Sequence, residues 1–136
     1  EIIPDLLHIH PEIIKLIFAA KGPEKTIAVS DSMLATGLPD GQYNFSGLNV
    51  TVGEDGARLD SGNLAGSTIK LADGVKNLIS IGIAPESALM SATSSPAEAM
   101  GIGKDVGYIK EGYAADILIL NSEYSIQEVI SKGLKI

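Results

Sequence analysis

The stretch EIIPDLLHIHPEIIKLIFAAKGPEKTIAVSDS, residues 1–32, decides the fold class. Its apolar run at 2–9 predicts a buried strand, although Pro4 interrupts it. From 11 to 21 the apolar residues recur at helical spacing, and 26–29 forms a second short apolar run. Strand, helix and strand in this order predict an α/β fold with two parallel strands and a right-handed crossover.

The rest of the chain alternates between further strands and helices. Turn residues at Ser46-Gly47 and Glu54–Gly56 separate strand-like runs, which predicts a β excursion at about residues 40–60. The runs lie at 43–45, 48–52 and 57–59, and further strands are predicted at 106–109, 115–120 and 125–131. Between these two groups, helical spacing predicts helices over 68–80 and 85–92. We expect Ser67 to cap the first helix, and Ser95–Glu98 to form a capping box that starts a third.

Composition excludes several classes of function. The chain has 136 residues, a net charge of −7 and a single arginine, Arg58, which argues against nucleic acid and anionic membrane surfaces as partners. No apolar stretch approaches the roughly 18 residues of a spanning helix. The absence of cysteine fits a reducing compartment, so we expect a cytoplasmic location.

The strand inventory is too small for a complete parallel sheet. Two predicted parallel strands cannot cover both faces of such a sheet, so the chain either borrows strands by association or continues in sequence outside these residues. The chain also starts on Glu1 and enters an apolar run within one residue. We therefore expect a piece of a larger protein.

Polar residues follow both predicted parallel strands, where α/β proteins usually place their catalytic groups. His8 and His10 end the first strand, and Asp31 follows the second. A histidine and a carboxylate at neighbouring strand ends can form a general acid/base pair or join a metal site. The alternatives are polar strand ends bonded to a loop and, for Asp31, a capping residue.

Two further segments carry polar groups whose roles the residue pattern leaves open. The glycine-flanked loop 62–67 enters a predicted helix, where free backbone N–H groups attract anions and polar ligands, but it is equally consistent with an ordinary capped entry. Asp116 lies within the run GYAAD near the end of the chain and is interpreted as structural.

Four motifs resemble one enzyme family. DLLHIHP at 5–11, VSDSM at 29–33 and LAGS at 64–67 resemble the C-terminal part of the N-acetylglucosamine-6-phosphate deacetylase family. GYIKEGYAAD at 107–116 is similar to the closing signature of the wider amidohydrolase superfamily. The resemblance implies the last two strands and following helices of a (β/α)8 barrel over 1–103. It also implies the C-terminal strands of a small β-sandwich over 104–136.

The resemblance also implies a reaction and its residues. The family hydrolyses N-acetylglucosamine 6-phosphate to glucosamine 6-phosphate and acetate. Asp31 matches the catalytic acid/base, which takes a proton from metal-bound water and returns it to the departing amine. The residues that match the substrate-binding segments are Asp5, Leu6, Leu7, His8, Leu64, Ala65 and Gly66.

Other family features have no counterpart in these residues. The family's divalent metal, zinc or a similar ion, is held by a glutamate and two histidines upstream, so we expect no metal ligand in this chain and assign none to His10. The phosphate-binding arginine comes across a dimer interface, and Arg58 does not match it, so a homodimer is expected for the full-length protein. The chain alone is expected to be inactive. The alternatives are another amidohydrolase with a different amide substrate, and a non-catalytic fragment that associates.

Overall fold

A computed structural model of the chain describes residues 1–45 and 47–136. In chain order its elements are α1 (Pro11–Lys21), a short 3-10 turn (Pro23–Lys25), β1 (Gly41–Phe45), β2 (Leu48–Gly53), β3 (Gly56–Leu59), α2 (Leu71–Ser80), α3 (Pro85–Ala92), α4 (Ser94–Ala99), β4 (Ile117–Leu120), β5 (Ile126–Ser131) and β6 (Leu134–Lys135). None of the helices in these residues is long and apolar enough to cross a bilayer.

The two segments that flank α1 run parallel, as the sequence predicts. The amide of Ile2 donates to the Ile27 carbonyl at 2.8 Å, and the amide of Val29 donates to the Ile2 carbonyl at 2.9 Å. Ile2 and Ala28 thereby form a parallel bridge. In the described residues this single bridge replaces the two longer strands that the apolar runs predict.

The predicted strand over 2–9 is wrong beyond its start, because the Asp5 side chain bends the backbone. Its Oδ1 accepts the amide hydrogens of Leu7 at 3.0 Å and His8 at 2.9 Å. Leu6 sits at φ +64°, a left-handed conformation that no strand contains. An aspartate that bonds the amides two and three residues ahead makes a turn instead of a ladder.

The helices follow their predicted bounds where capping is local. α1 and α3 have the predicted limits, and the imidazole of His10 caps α1 by accepting the Glu12 amide at 3.2 Å. The start predicted for α2 at residue 68 is wrong, because Ser67 donates its hydroxyl to the Ser30 carbonyl and the helix begins at Leu71. The capping box at Ser95 is also absent, since its hydroxyl donates to the Pro23 carbonyl at 2.8 Å.

The main core joins α1, α2 and α3 to the parallel segments. Its buried members are Ile2, Ile14, Phe18, Ala28, Val75, Leu78, Ile83 and Ala88. Ile14 and Leu78 have no exposed surface, so the predicted apolar faces of α1 and α2 are the faces that pack, except at Ile13 of α1, which is 49% exposed. This core therefore fixes the positions of the two parallel segments and of the polar residues that follow them.

The predicted β excursion is confirmed as a three-stranded antiparallel sheet in the order β1-β2-β3. Val50 and Val52 of β2 and Ala57 of β3 pack with Met33 and Ala35 in a second, smaller core. The turn predicted at Ser46-Gly47 includes Ser46, which lies outside the described residues. The contacts of Met33 and Ala35 in the smaller core anchor the excursion to the segment that follows Asp31.

A second antiparallel sheet, β4-β5-β6, ends the chain. Its first two strands lie within the predicted runs, whereas β6 was not predicted. The strand predicted at 106–109 is wrong: Gly107 has φ +91°, and a Cβ placed there would lie 2.8 Å from the Ala97 Cβ. The chain at Gly107 therefore turns and packs against α4, where a strand was predicted. The division of the chain at residue 104 stays a prediction.

Candidate active site

An open cleft of about 600 Å³ lies where the two parallel segments end. Its lining is formed by Glu1, Ile2, Ile3, His8, Ile9, Val29 and Asp31. The structure therefore brings together two of the predicted polar residues, His8 and Asp31. Each reaches the cleft from a different parallel segment, as strand-end positions lead one to expect.

A buried carboxylate orients His8. Asp5 Oδ2 lies 2.6 Å from His8 Nδ1, and the Asp5 side chain is only 3% exposed against 20% for His8. Burial raises the pKa of Asp5, but hydrogen bonds from His8 and from the Leu7 amide outweigh it and leave that pKa below its usual value. Asp5 is therefore ionised at neutral pH.

The ionised carboxylate decides which ring nitrogen of His8 carries hydrogen. A carboxylate accepts hydrogen bonds and cannot donate them, so Nδ1 must be the protonated nitrogen. Nε2 is then an acceptor in the neutral ring and a donor in the imidazolium. The resemblance implies that Asp5 belongs to the substrate site, and in the structure its carboxylate accepts hydrogen bonds from the Leu7 and His8 amides and bonds to the His8 ring.

His10 does not share this position. Its Nδ1 accepts the Glu12 amide hydrogen, and the residue is exposed and not part of the cleft lining. With His8 paired to Asp5, the two histidines do not form a joint site. Among the described residues, no group of three histidine, aspartate or glutamate side chains could hold a metal ion. The residues present do not fit a metal site.

Asp31 enters the cleft from an unusual backbone conformation. Its φ is +46°, a region that few residues other than glycine adopt, although aspartate tolerates it better than most. The Asp31 carbonyl accepts the Ser67 amide at 2.8 Å, and the Met33 amide donates to the Ser67 carbonyl at 2.8 Å. These two bonds form a parallel bridge between Ser32 and Ser67.

The two segments predicted to line the sugar site, residues 5–8 and 64–66, both approach the start of β3. A Cβ built on Gly56 would lie 3.0 Å from Leu7 Cδ1 and 3.6 Å from Leu64 Cδ2. Ala65 donates its amide to the Ala57 carbonyl at 2.9 Å, which fixes the second segment to the same strand. These leucines, together with Leu6, Ala65 and Gly66, are not among the residues that line the cleft, and their place in a sugar site stays a prediction.

Gly66 touches the Asp31 backbone. A Cβ built on it would lie 2.9 Å from the Asp31 carbonyl oxygen and 3.8 Å from Asp31 Oδ2. Gly66 also has φ +73°, so both space and conformation call for glycine. The sequence leaves an anion-attracting loop and an ordinary capped helix entry both open here; the structure shows a loop whose backbone contacts the candidate catalytic aspartate.

A model described as the amidohydrolase family matches residues 2–135. The chain belongs to the amidohydrolase family. This amidohydrolase is 37% identical, over 98% of its length, to the N-acetylglucosamine-6-phosphate deacetylase of Bacillus subtilis (strain 168), and it covers 34% of that relative. It is 32% identical, again over 98% of its length, to a putative N-acetylgalactosamine-6-phosphate deacetylase of Escherichia coli (strain K12), of which it covers 80%.

Solved structures agree. The amidohydrolase chain superposes with a TM-score of 0.92 on the N-acetylglucosamine-6-phosphate deacetylase of Thermotoga maritima, at 30% identity, over 98% of this chain and 37% of that one. It spans about a third of the length of several curated relatives that it matches. The resemblance seen in the four motifs is thus confirmed along nearly the whole amidohydrolase chain.

The contact between Gly66 and Asp31 predicts a difference between two glycines of this amidohydrolase. Gly62→Ala meets only the cost of a positive φ, since nothing lies within 4 Å of its Cβ, and we expect a loss of about 1 kcal/mol in the free energy of unfolding. Gly66→Ala must also displace the Asp31 carbonyl, and we expect a loss of about 2–4 kcal/mol. Urea unfolding of both variants measures this, and equal losses would contradict the contact.

Proposed function

We propose that the full-length protein containing this chain hydrolyses the acetamido group of N-acetylglucosamine 6-phosphate to give glucosamine 6-phosphate and acetate. One observation carries the proposal: a histidine and an aspartate from two parallel segments share one cleft in an amidohydrolase chain. The names of the relatives at 36% and 37% identity support this substrate. Amino-sugar metabolism is the corresponding process.

Asp31 acts as the general acid/base. Its carboxylate accepts a proton from the water that attacks the acetamido carbonyl, which makes that water a better nucleophile. The same carboxyl group, now protonated, donates to the amine nitrogen as the C–N bond breaks. Amines leave poorly without a proton, so one group that is ionised first and protonated afterwards serves both steps.

His8, which lines the same cleft, holds the substrate. With Nδ1 bonded to Asp5, Nε2 is the nitrogen left to bind substrate. It accepts from a sugar hydroxyl when the ring is neutral and donates to the carbonyl oxygen when the ring is charged. Asp5 acts through His8, while Leu6, Leu7, Leu64, Ala65 and Gly66 form the wall of the sugar site.

The divalent metal that the family suggests is not assigned to these residues. His8 and His10 are bonded to Asp5 and to the Glu12 amide, and the described residues provide no cluster of three ligands. Zinc or a similar ion is therefore proposed only for the full-length protein, with ligands outside this chain. The steps given to Asp31 and His8 concern their own proton transfers and hydrogen bonds.

The remaining expectations for the whole protein are proposed on the same basis. Residues 1–103 belong to the end of a (β/α)8 barrel and 104–136 to a small β-sandwich, consistent with the superposition on the Thermotoga enzyme. The full-length protein is proposed to be a cytoplasmic homodimer. Its phosphate-binding arginine would come from the partner subunit. Arg58 is not proposed for that role, because it does not match the family's arginine; its guanidinium donates to the Gly62 carbonyl at 2.8 Å within its own loop.

The second candidate substrate is N-acetylgalactosamine 6-phosphate. The relative of which this chain covers 80% is named for that sugar, at 32% identity. The two sugars differ only in the direction of one ring hydroxyl, and discrimination by a hydrogen bond to that group is within the range that buried polar contacts provide.

An acetate-release assay of the purified full-length protein tests the proposal. We expect turnover of N-acetylglucosamine 6-phosphate with a kcat/KM at least about tenfold above that for the galactosamine epimer and for unphosphorylated N-acetylglucosamine. The chain of residues 1–136 alone is expected to release no acetate. A reversed order of the two epimers would favour the second candidate, and no turnover of either sugar phosphate would contradict the proposal.

A further inference from the structure

Ser67 uses its backbone and its side chain on the segment that contains Asp31. The residue is 1% exposed. Its amide donates to the Asp31 carbonyl, its carbonyl accepts the Met33 amide, and its hydroxyl donates to the Ser30 carbonyl. Ser67 therefore bonds to the residue before the proposed acid/base, to Asp31 itself and to the residue two positions after it.

The backbone conformation of Asp31 must be stabilised by contacts with other parts of the chain. At φ +46° its backbone lies in a sparsely populated region, and such a conformation persists only when surrounding contacts fix it. Asp31 lines an open cleft. The position of its backbone therefore sets where its carboxylate enters that cleft. Proton transfer is sensitive to such placement, because an error of about 1 Å in a reacting group can cost about 10²-fold in rate.

We propose that Ser67 is a positioning residue whose hydroxyl, through the Ser30 carbonyl, holds the Asp31 carboxylate in place for proton transfer. The inference rests on the proposed function of Asp31. It extends the role of the LAGS motif, because the residue that follows the sugar-site wall also sets the geometry of the acid/base. When the Ser67 hydroxyl is removed, the partly buried Ser30 carbonyl loses its donor and relaxes toward other partners, and Asp31 is the next residue along the chain.

Ser67→Ala in the full-length protein tests this role. It removes the hydroxyl and keeps both backbone bonds, so we expect kcat to fall about 10- to 100-fold with KM within about threefold of wild type. Ser95→Ala is the matched control, since Ser95 is 3% exposed and donates its hydroxyl to the distant Pro23 carbonyl at 2.8 Å. Ser95 lies away from the cleft, and its variant should keep the wild-type kcat.

A double-mutant cycle separates positioning from general support. In the Asp31→Asn background, Ser67→Ala should leave the residual rate unchanged, because the group through which it acts is gone. An undiminished additional loss there would overturn the proposal, as would equal kcat values for Ser67→Ala and Ser95→Ala. Ser67→Thr keeps the hydroxyl and should retain kcat within about threefold; a loss as large as that of the alanine variant would overturn the role of the hydroxyl.

The proposed function fails separately. If Asp31→Asn alone keeps wild-type turnover, the role of Asp31 is wrong, whatever Ser67 does. If Asp31→Asn is inactive and Ser67→Ala behaves like Ser95→Ala, only the positioning role is wrong. Measuring all variants well below their unfolding temperatures ensures that the rates compare folded protein.

Discussion

Asp31→Asn is expected to lower kcat for acetate release by about 10²–10⁴-fold, with KM within a few-fold of wild type. The amide is nearly isosteric with the carboxylate, so it fills the same space in the cleft, but it accepts no proton from water at neutral pH. Since the general base acts in the transition state and contributes little to ground-state binding, the loss should appear in kcat. Steady-state kinetics of the full-length protein on N-acetylglucosamine 6-phosphate measure it.

Asp116→Asn provides the matched control for this change. Asp116 Oδ1 accepts the Lys132 amide at 2.8 Å and the Ser131 hydroxyl at 3.1 Å, which agrees with its interpretation as a structural residue. Its amide variant should lose a little stability and keep its turnover. Wild-type activity in Asp31→Asn would remove Asp31 from the mechanism.

His8→Ala is expected to lower kcat/KM by about 10- to 100-fold. A hydrogen bond to a charged group contributes about 1.5–3 kcal/mol, which corresponds to this range. The variant also leaves the buried Asp5 carboxylate without its imidazole partner, so a fall in Tm should accompany the kinetic loss. Kinetics and thermal unfolding of the same preparation separate the two effects.

Two neighbouring variants sharpen the result. His10→Ala removes a second histidine from the same segment, but one that only caps α1, so it should cost about 1 kcal/mol of stability and leave kcat/KM unchanged. Asp5→Asn keeps the ring of His8 and loses the carboxylate that fixes its proton, so an intermediate kinetic loss is expected. Equal behaviour of the two alanine variants would mean that His8 has no special place in the site.

Much of the fold is predictable because its signals are local. α1 begins with proline behind a capping residue and ends before Gly22, and the bounds read from these signals are those of the structure. The strands of the excursion are separated by turn residues and are equally predictable from the sequence. Where distant partners decide, prediction fails. Ser67 and Ser95 are good local caps by residue type, yet Ser67 donates its hydroxyl to a carbonyl 37 residues away and Ser95 to one 72 residues away.

The site divides in the same way. That His8 and Asp31 approach one cleft follows from strand order, which hydrophobic pattern reveals. That Asp5 stands behind His8 does not follow, because the pattern predicts a strand at residues 5–9, and in a strand Asp5 and His8 point to opposite faces. The bend that joins them depends on two amide bonds to one carboxylate. The hydrogen bond from Ser67 to the Ser30 carbonyl does not follow from the sequence either, because residue type and position predict a helix cap at Ser67.

The bridge between Ser32 and Ser67 also bears on how this protein tolerates change in length. The β1-β2-β3 excursion leaves and rejoins the chain at that one point, where two backbone bonds of 2.8 Å close its base. Closing a longer loop costs little extra entropy, and its far end can grow or shrink without altering the spacing of its ends. A change in the length of the excursion is therefore expected to leave the spacing of Asp31 and Ser67, and with it the cleft, undisturbed.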